Sequence, residues 1–506
     1  MNHSGQNAGA TAPNAYRLLW AGFMAILAAG VGFSVRGASV LEEWSQAFGF
    51  TQTELGGITG GGLVGFGVII ILSSFIAEKI GYGVLMMFAF VVHFLSAVVT
   101  LAAPTVFEAA GKDATYWCLF VGMFMFAIGN GVCEAVVNPL VATLFPKNKT
   151  HYLNILHAGW PAGLILGGIA SIFMAGNFSW QVQISLFLAP VIVYGVMIFG
   201  QKMPKTEAAE TGMTLGKILL QFVSPLLLFL LVIHAMVGYV ELGTDSWIAR
   251  ITGSILNETT GRWLFVYTSA LMFLLRFVAG PIVHKISPLG LLFVSAVLAA
   301  IGLFSLGGVG TTLAALGALT IYGLGKTFFW PTMLAVVSER FPKGGAVTLG
   351  VVGGVGMLSA GLLGGPGIGF KQDKFASEKL EATAPEAYDR YRAASPNSFL
   401  VFQTNGLDGA KVGVLENGGE KLKSEMEILQ QTGRTDDNLV ALDTWWQGAK
   451  EMAAEDRPPV EEATLHGSRM ALKLTAIVPA VMAVCYLILI GYFQSIGGYK
   501  PLSHDD

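Results

Sequence analysis

Charged residues are scarce in this chain, and their scarcity excludes most soluble folds. Only 12% of the 506 residues are Asp, Glu, Lys or Arg, whereas 53% are hydrophobic. A soluble protein would carry about a quarter charged residues. Apolar runs of about 20 residues recur along the chain, and each is long enough to cross a bilayer. This composition predicts an all-α membrane protein with many spans.

Cysteine is almost absent, and several catalytic motifs are missing. The three cysteines, Cys118, Cys133 and Cys485, all lie in apolar runs, which argues against a disulfide framework. The sequence has no P-loop, zinc-ligand spacing or nucleophile elbow, so we expect neither an enzyme nor an ATP-driven pump, no cofactor and no nucleic-acid partner. The residues before Tyr16 lack the basic and cleavage regions of a signal peptide, so the first span should remain as an anchor.

Twelve apolar runs are predicted to form transmembrane helices, in two groups of six. The first group covers residues 17–38, 53–78, 84–104, 115–140, 152–175 and 180–200. The second group covers residues 218–245, 260–284, 289–308, 312–338, 345–368 and 470–493. A polar linker at 202–217 separates them, so we expect one six-helix bundle over residues 1–201 and another over residues 218–506.

The distribution of lysine and arginine predicts the orientation. If the N-terminus is inside the cell, the short outer loops hold only Lys112, Arg250 and Arg262. The inner loops then hold most of the basic residues: Lys79, Lys147, Lys149, Lys202, Lys205, Lys217, Lys285, Arg340 and Lys343. This asymmetry follows the positive-inside rule. It predicts a multi-pass protein of a cell membrane, expected to be a bacterial inner membrane, with both termini in the cytoplasm.

One polar segment interrupts the second group of spans. Residues 370–466 hold 18 acidic and 11 basic residues, for a net charge of −7. The parity of the spans places this insert outside the cytoplasm, between the eleventh and twelfth helices. Its length exceeds that of an ordinary loop, and "ASEKLEATAPEAYDRYRAA" has a helix-forming composition. The segment is therefore either a small helical cap or a solvated acidic loop.

Matching segments in the two groups indicate an internal repeat. "SFIAEKIGYG" at Ser74 matches "GPIVHKISPL" at Gly280, and the same offset of 206 places "GFSVRGAS" over "GYVELGTD". "GVCEAVVNP" and "GKTFFWP" end at Pro139 and Pro331, and both of these spans then close on "FPK". Repeats of this kind are typical of transporters. They predict two pseudo-symmetric six-helix bundles.

The loop after the second span resembles that of the major facilitator superfamily, whose motif is G-x-L-A-D-R-x-G-R-R. "SFIAEKIGYG" keeps the acidic residue at Glu78, the basic residue at Lys79 and the glycine at Gly81. The resemblance implies twelve helices, transport by alternating access, and a clamp at Glu78, Lys79 and Gly81 that holds neighbouring helix ends in one state. A Glu at a span's inner end can also meet a helix N-terminus, or form an ordinary interfacial charge pair.

Within that superfamily, "GVCEAVVNP" followed by "YLNILHAGWPAGLILG" resembles the fucose permease branch of sugar–proton symporters. Glu134, the Asn138-Pro139 pair and Asn154 match the branch. Other positions differ, since His157 and Trp160 stand where the branch has Gln and Asn, and Ala38 stands where it has an acidic residue. These differences fall on positions that handle the sugar and the proton.

Ionisable residues within spans are the first candidates for the site, because a charge in a membrane is costly unless it is paired or hydrated. These residues are Arg36, Glu134, Glu241, Asp245, Arg276 and Lys326. Arg36 and Asp245 lie near predicted outer ends, where their side chains could reach water. Glu134 and Lys326 each lie five residues before a proline, so pseudo-symmetry predicts that they face each other. Glu134 is then either the proton-coupling or a substrate site, or part of a structural ion pair.

The remaining site candidates are polar or aromatic residues of the same spans. We expect Arg36, Asn138, Asn154, His157, Trp160, Glu241, Lys326 and Trp330 to bind substrate. Four of them also have a simpler interpretation: Glu241 as part of a packing ion pair, His157 as a packing histidine, and the two tryptophans as interfacial or packing rings instead of surfaces that stack on a sugar.

These observations predict a secondary active transporter. We expect uptake of a sugar or another small polar solute, coupled to protons or another ion, by a monomer in the lipid bilayer. Two alternatives remain open: a carrier of an anionic metabolite, suggested by Arg36, Arg276 and Lys326, and a membrane sensor with an acidic outer domain.

Overall fold

The computed structural model describes residues 12–36, 38–48, 50, 52–59, 62–174, 177–206, 212–432 and 435–502, and most of them are helical. Eleven helices in this part of the chain are long and apolar enough to cross a membrane: Ala15–Val35, Gly57–Ile80, Tyr82–Leu101, Ala103–Leu144, Lys149–Met174, Trp180–Ile198, Pro225–Ile255, Ala279–Leu306, Thr312–Arg340, Pro342–Thr383 and Asp437–Ser495. The protein is therefore an all-α, multi-pass membrane protein.

The predicted span 260–284 is not among those eleven helices, although a helix forms there. Glu258–Arg276 has 19 residues, but three charged side chains lower its mean hydropathy. Glu258 and Arg262 form an exposed pair at one end, whereas Arg276 is buried at the other. The number of twelve membrane-crossing helices stays a prediction.

The α-helices are numbered here in chain order. Those of the N-terminal half are α1 (Ala15–Val35), α2 (Ala38–Phe48), α3 (Gln52–Thr59), α4 (Gly62–Ile80), α5 (Tyr82–Leu101), α6 (Ala103–Leu144), α7 (Lys149–His157), α8 (Gly159–Met174), α9 (Trp180–Ser185) and α10 (Leu188–Ile198). The C-terminal half begins with α11 (Leu215–Leu220), α12 (Pro225–Gly238), α13 (Thr244–Ile255), α14 (Glu258–Arg276), α15 (Ala279–Leu306), α16 (Thr312–Lys326), α17 (Phe329–Arg340) and α18 (Gly345–Ser359). It continues with α19 (Gly365–Thr383), α20 (Pro385–Tyr391), α21 (Gly409–Asn417), α22 (Glu420–Thr432), α23 (Asp437–Ala449), α24 (Ala453–Thr475) and α25 (Ile477–Ser495).

Several spans are interrupted helices. A π-helical turn at Tyr239–Gly243, with i→i+5 hydrogen bonding, joins α12 to α13. A similar π-helical turn at Ala360–Gly364 joins α18 to α19. Short breaks also separate α7 from α8 and α16 from α17. Such irregular turns are frequent at functional sites because they re-aim side chains and free backbone groups.

Glycines allow helices of the two halves to touch. A Cβ atom at Gly67 of α4 would lie 2.9 Å from the carbonyl oxygen of Gly354 in α18, and the reverse distance is also 2.9 Å. Within the C-terminal half, a Cβ at Gly238 would lie 1.9 Å from the carbonyl oxygen of Gly356. Larger side chains at these positions would force the helices apart, so the glycine-rich runs have the close packing that small residues allow in membranes.

The acidic segment 370–466 forms its own small core. α19 and α24 extend beyond the apolar spans and pack together, and α20 to α23 complete the unit. The core side chains include Leu380, Tyr391, Leu415, Trp446 and Val460. Two short antiparallel strands, β1 (Asn397–Phe399) and β2 (Phe402–Thr404), form a hairpin with Ser398 opposite Gln403. The segment is thus folded, whereas its position outside the cytoplasm stays a prediction.

Candidate functional site

Glu134 lies at the centre of a hydrogen-bond network on α6. Its Oε1 atom accepts a hydrogen bond from Asn138 Nδ2 at 3.2 Å, one helical turn away. Asn138 Nδ2 also donates to the Glu134 carbonyl oxygen at 2.9 Å, and Asn138 Oδ1 lies 2.8 Å from His157 Nε2. The same histidine nitrogen lies 3.7 Å from Glu134 Oε1. Three predicted site residues, Glu134, Asn138 and His157, therefore form one buried unit.

Trp330 joins this unit to the C-terminal half. Its indole Nε1 donates to Glu134 Oε1 at 3.2 Å, and its backbone N–H donates to Glu241 Oε2 at 3.2 Å. The backbone donor is available because Trp330 lies in the first turn of α17, where N–H groups have no intrahelical acceptor. One residue therefore contacts both candidate carboxylates.

Glu241 pairs with Arg276, which the sequence places among the membrane charges but which was not predicted to bind substrate. Arg276 Nη2 donates to Glu241 Oε1 at 2.8 Å, and both side chains are almost completely buried. Arg276 Nε donates to the Thr327 carbonyl oxygen at 2.9 Å, and Nη1 donates to the His157 carbonyl oxygen at 2.5 Å. Arg276 thus also crosses between the halves. Its signal in the sequence is a single cation within the apolar run "LMFLLRFVAG".

Lys326 pairs with Asp245 in the structure, which corrects the predicted Glu134–Lys326 pair. The two side chains are 0% and 7% exposed, so Asp245 does not reach water as its position near the span end had suggested. The π-helical turn at Tyr239–Gly243 explains why Asp245 is buried instead of facing water. A turn of this kind adds a residue to the helical register and rotates the following side chains, which places Asp245 in the interior.

A small cavity of about 30 Å³ lies between these groups. Its polar and aromatic lining consists of Asn130, Glu134, His157, Trp160, Glu241, Arg276 and Trp330. Asn130 was not predicted. Its Oδ1 atom lies 3.0 Å from Nε2 of His93, whose Nδ1 lies 2.9 Å from the Tyr194 hydroxyl. A lone histidine in the apolar run "VVHFL" was the available signal for this second network.

Four of the eight predicted substrate-binding residues do not line this cavity: Arg36, Asn138, Asn154 and Lys326. Asn154 donates to the Thr150 carbonyl oxygen at 2.8 Å and to Thr332 Oγ1 at 3.2 Å, so it joins α7 to α17. Arg36, at the end of α1, is 3% exposed and lines a second, larger cavity.

The predicted clamp residues occupy the end of the molecule expected to face the cytoplasm. Glu78 Oε1 accepts a hydrogen bond from the Ala346 backbone N–H at 3.0 Å, in the first turn of α18. A carboxylate at this position is favoured by the free N–H groups and the positive end of the helix dipole. Gly81 adopts a φ of +82°, which favours glycine, in the turn to α5. Lys79 is exposed.

A second layer of contacts also joins the halves at that end. Lys149 Nζ donates to Ser338 Oγ at 2.9 Å, and Thr150 Oγ1 donates to Glu339 Oε1 at 3.3 Å. The Tyr499 hydroxyl donates to Glu339 Oε2 at 2.6 Å. Together with Glu78, these bonds close the predicted cytoplasmic end, so the structure represents a state in which the halves meet there.

Buried charges that surround a cavity within a bundle of membrane helices are the arrangement of a carrier. The family model of the Major Facilitator Superfamily matches residues 21–365. The chain belongs to the major facilitator superfamily, and it is a membrane transporter.

Solved structures of sugar symporters have the same fold. FucP, the fucose:proton symporter of E. coli, in its outward conformation, is 18% identical with a TM-score of 0.58, covering 71% of this chain and 92% of that chain. The xylose transporter XylE of E. coli, partially occluded and inward open, is 13% identical with a TM-score of 0.54, covering 69% and 90%.

A bacterial homologue of the human lysosomal transporter Spinster, in an inward-facing conformation, is 14% identical with a TM-score of 0.57, covering 97% of this chain and 100% of that chain. At these identities the likenesses show the fold alone. No curated protein sequence matches the chain. Within the superfamily, the chain resembles the fucose permease branch.

Proposed function

We propose that this transporter couples the uptake of a small polar solute to protons, and that Glu134 carries the proton. Sugars are the first candidate solutes. Two sugar–proton symporters, FucP and the proton:xylose symporter XylE, share the fold, which supports this choice.

The observation that carries the proposal is the difference between Glu134 and the other two carboxylates singled out within the predicted spans, Glu241 and Asp245. Glu241 is paired with Arg276, and Asp245 with Lys326. Among the described side chains, Glu134 has no Arg or Lys within salt-bridge distance, and its donors are the neutral groups of Asn138 and Trp330. A carboxylate without a permanent cation can take up a proton without leaving an opposite charge unpaired.

The geometry also connects protonation to movement of the halves. The ionised Glu134 carboxylate only accepts hydrogen bonds, and bonds to an ionised group are the stronger ones. One of its donors, Trp330 Nε1, belongs to the other half of the chain. Protonation of Glu134 weakens this bond. The protonation state thereby changes how tightly the halves are held at the cavity.

The cavity offers suitable partners for a polar solute. Trp160 and Trp330 present aromatic faces, and Asn130, Glu241 and Arg276 present donors and acceptors. A solute with several hydroxyl groups can bond to such groups and stack on the rings, whereas an apolar solute would leave the polar groups unpaired.

Transport by the purified protein in vesicles tests the proposal. A thermal-shift screen of sugars, sugar acids and carboxylates first identifies a ligand, because binding stabilises the folded protein. Wild-type vesicles with an internal pH dye should take up protons when that ligand is added outside. Glu134→Gln should lose uphill accumulation but keep solute exchange, because Gln keeps the shape and hydrogen bonding but cannot release a proton.

Glu258→Gln is the matched control, because the Glu258 side chain is 88% exposed at the start of α14. It should accumulate solute normally. If Glu134→Gln accumulates solute with unchanged pH dependence, Glu134 is not the coupling residue. If the wild-type protein transports solute without proton movement, proton coupling itself is wrong.

A further inference from the structure

A second cavity lies beside the polar one, towards the predicted outer end of the molecule. It measures about 630 Å³ and shares the lining residues Phe66, Asn130 and Trp160 with the first cavity, so the two are adjacent. Its lining is mostly apolar, with the aromatic rings of Phe33, Phe66, Phe120, Phe124, Phe126 and Trp160. A sugar would leave most of its hydroxyl groups unpaired there, so this space suits a different kind of molecule.

Among the described residues that line this cavity, Arg36 is the only one with a charged side chain. It is 3% exposed, and a buried charge in a membrane protein normally has a partner of opposite sign. Arg276 and Lys326 both have such partners. Within the described part of the chain, no carboxylate lies within salt-bridge distance of Arg36, and its Nε atom has no hydrogen-bond partner.

The contacts that Arg36 does make are weak. Its Nη1 lies 3.3 Å from Thr100 Oγ1, and its Nη2 lies 3.3 Å from Ser96 Oγ. Charge-assisted bonds to an anion are shorter, about 2.7–2.9 Å. The guanidinium also lies over the rings of Phe126 and Phe187, at 4.7 and 5.5 Å from their centroids. These groups hold the cation in place at the cavity wall without neutralising its charge.

We infer that this cavity binds an amphipathic organic anion, with its anionic group on Arg36 and its apolar body against the aromatic lining. The guanidinium presents a planar set of donors that matches a carboxylate or a phosphate. The two sites therefore bind different chemistry: the polar groups around the first cavity contact the transported solute of the proposed function, and the second cavity holds an anion with an apolar body. The anion is either a dissolved compound or an anionic lipid from the bilayer.

Binding of an aromatic carboxylate tests the inference. The protein is reconstituted in nanodiscs of phosphatidylcholine, and binding of radiolabelled 1-naphthaleneacetate is measured, with the neutral 1-naphthaleneacetamide as competitor. We expect saturable binding of the carboxylate and at least about tenfold weaker competition by the amide, since a hydrogen-bonded charge is lost. Arg36→Gln should abolish this preference, and Arg262→Gln, at a half-exposed arginine, should leave it unchanged.

Three outcomes are decisive. Equal competition by the acid and the amide in the wild-type protein would overturn the inference, and so would an unchanged preference in a folded Arg36→Gln protein. Folding is checked by thermal unfolding, and Arg36→Lys, which retains the charge, should keep part of the preference if folding is intact. Nanodiscs that contain phosphatidylglycerol distinguish the two sources, because loss of naphthaleneacetate binding there would assign the anion site to a lipid headgroup.

Discussion

The indole N–H of Trp330 on α17 donates a hydrogen bond of 3.2 Å to Oε1 of Glu134 on α6. The two residues come from different halves of the chain and meet at the wall of the central cavity. We expect movement that opens the closed end of the molecule to change the distance between these helices. The bond is therefore a contact that depends both on protonation and on conformation.

Trp330→Phe removes this donor but keeps most of the aromatic packing. We expect a lower unfolding temperature and a fall of at least about tenfold in solute-driven proton uptake, because a hydrogen bond to a charged group contributes about 1.5–3 kcal/mol. Trp263→Phe is the control, since Trp263 is 41% exposed on α14. Unfolding followed by fluorescence and proton uptake in vesicles measure the two effects. Identical behaviour of the two variants would show that the bond is unimportant.

The pair of Lys326 and Asp245 makes a quantitative prediction for stability. Lys326→Met leaves Asp245 as an uncompensated buried charge, which costs roughly 3–5 kcal/mol in a dry site. The double variant Lys326→Met with Asp245→Asn should recover most of that loss. The same change at Lys326 combined with Glu134→Gln should show no comparable recovery. Two double-mutant cycles on the free energy of unfolding decide between the pairs. Additive losses at Lys326 and Asp245 would contradict the pairing seen in the structure.

The contact of Glu78 with α18 predicts a change in conformational balance. Glu78→Ala removes the acceptor for the Ala346 N–H, whereas Glu78→Gln keeps a carbonyl oxygen there. We expect the alanine variant to open the predicted cytoplasmic end more often, and the glutamine variant to lie between it and the wild type. Spin-label distances between α4 and α18 in nanodiscs measure the populations. The clamp role of Glu78 fails if the alanine variant has the wild-type distance distribution.

The orientation predicted from lysine and arginine is open to a labelling test. Ser398 is exposed in β1 of the acidic segment, and Lys205 is exposed in the linker between the halves. Ser398→Cys should react with an impermeant maleimide in intact cells, and Lys205→Cys only after permeabilisation. The unmodified protein shows the background from Cys118, Cys133 and Cys485. The opposite pattern would reverse the orientation.

Much of this protein follows from its sequence alone. Long apolar runs with few charges can form only membrane helices, because backbone groups in lipid must bond within their own segment. The few ionisable residues within those runs are expensive to bury, so composition and hydropathy are enough to single out Glu134 and Glu241. His157, Trp160 and Trp330 follow from their resemblance to a transporter branch or from their place near the paired prolines, and the fold brings all five to one cavity.

The partners of those residues were decided only by the tertiary structure. Spacing to a proline predicted that Lys326 faces Glu134, but spacing assumes a regular helix. The π-helical turn at Tyr239–Gly243 adds a residue to the helical register and points Asp245 towards Lys326. Arg276 likewise forms hydrogen bonds with Glu241 and His157, which lie 35 and 119 residues away in the sequence. No local sequence pattern predicts contacts over such separations. Composition shows which charges a membrane protein retains, whereas the packing of interrupted helices determines which of the described charges neutralise each other and which, like Glu134 and Arg36, are left without an ionic partner.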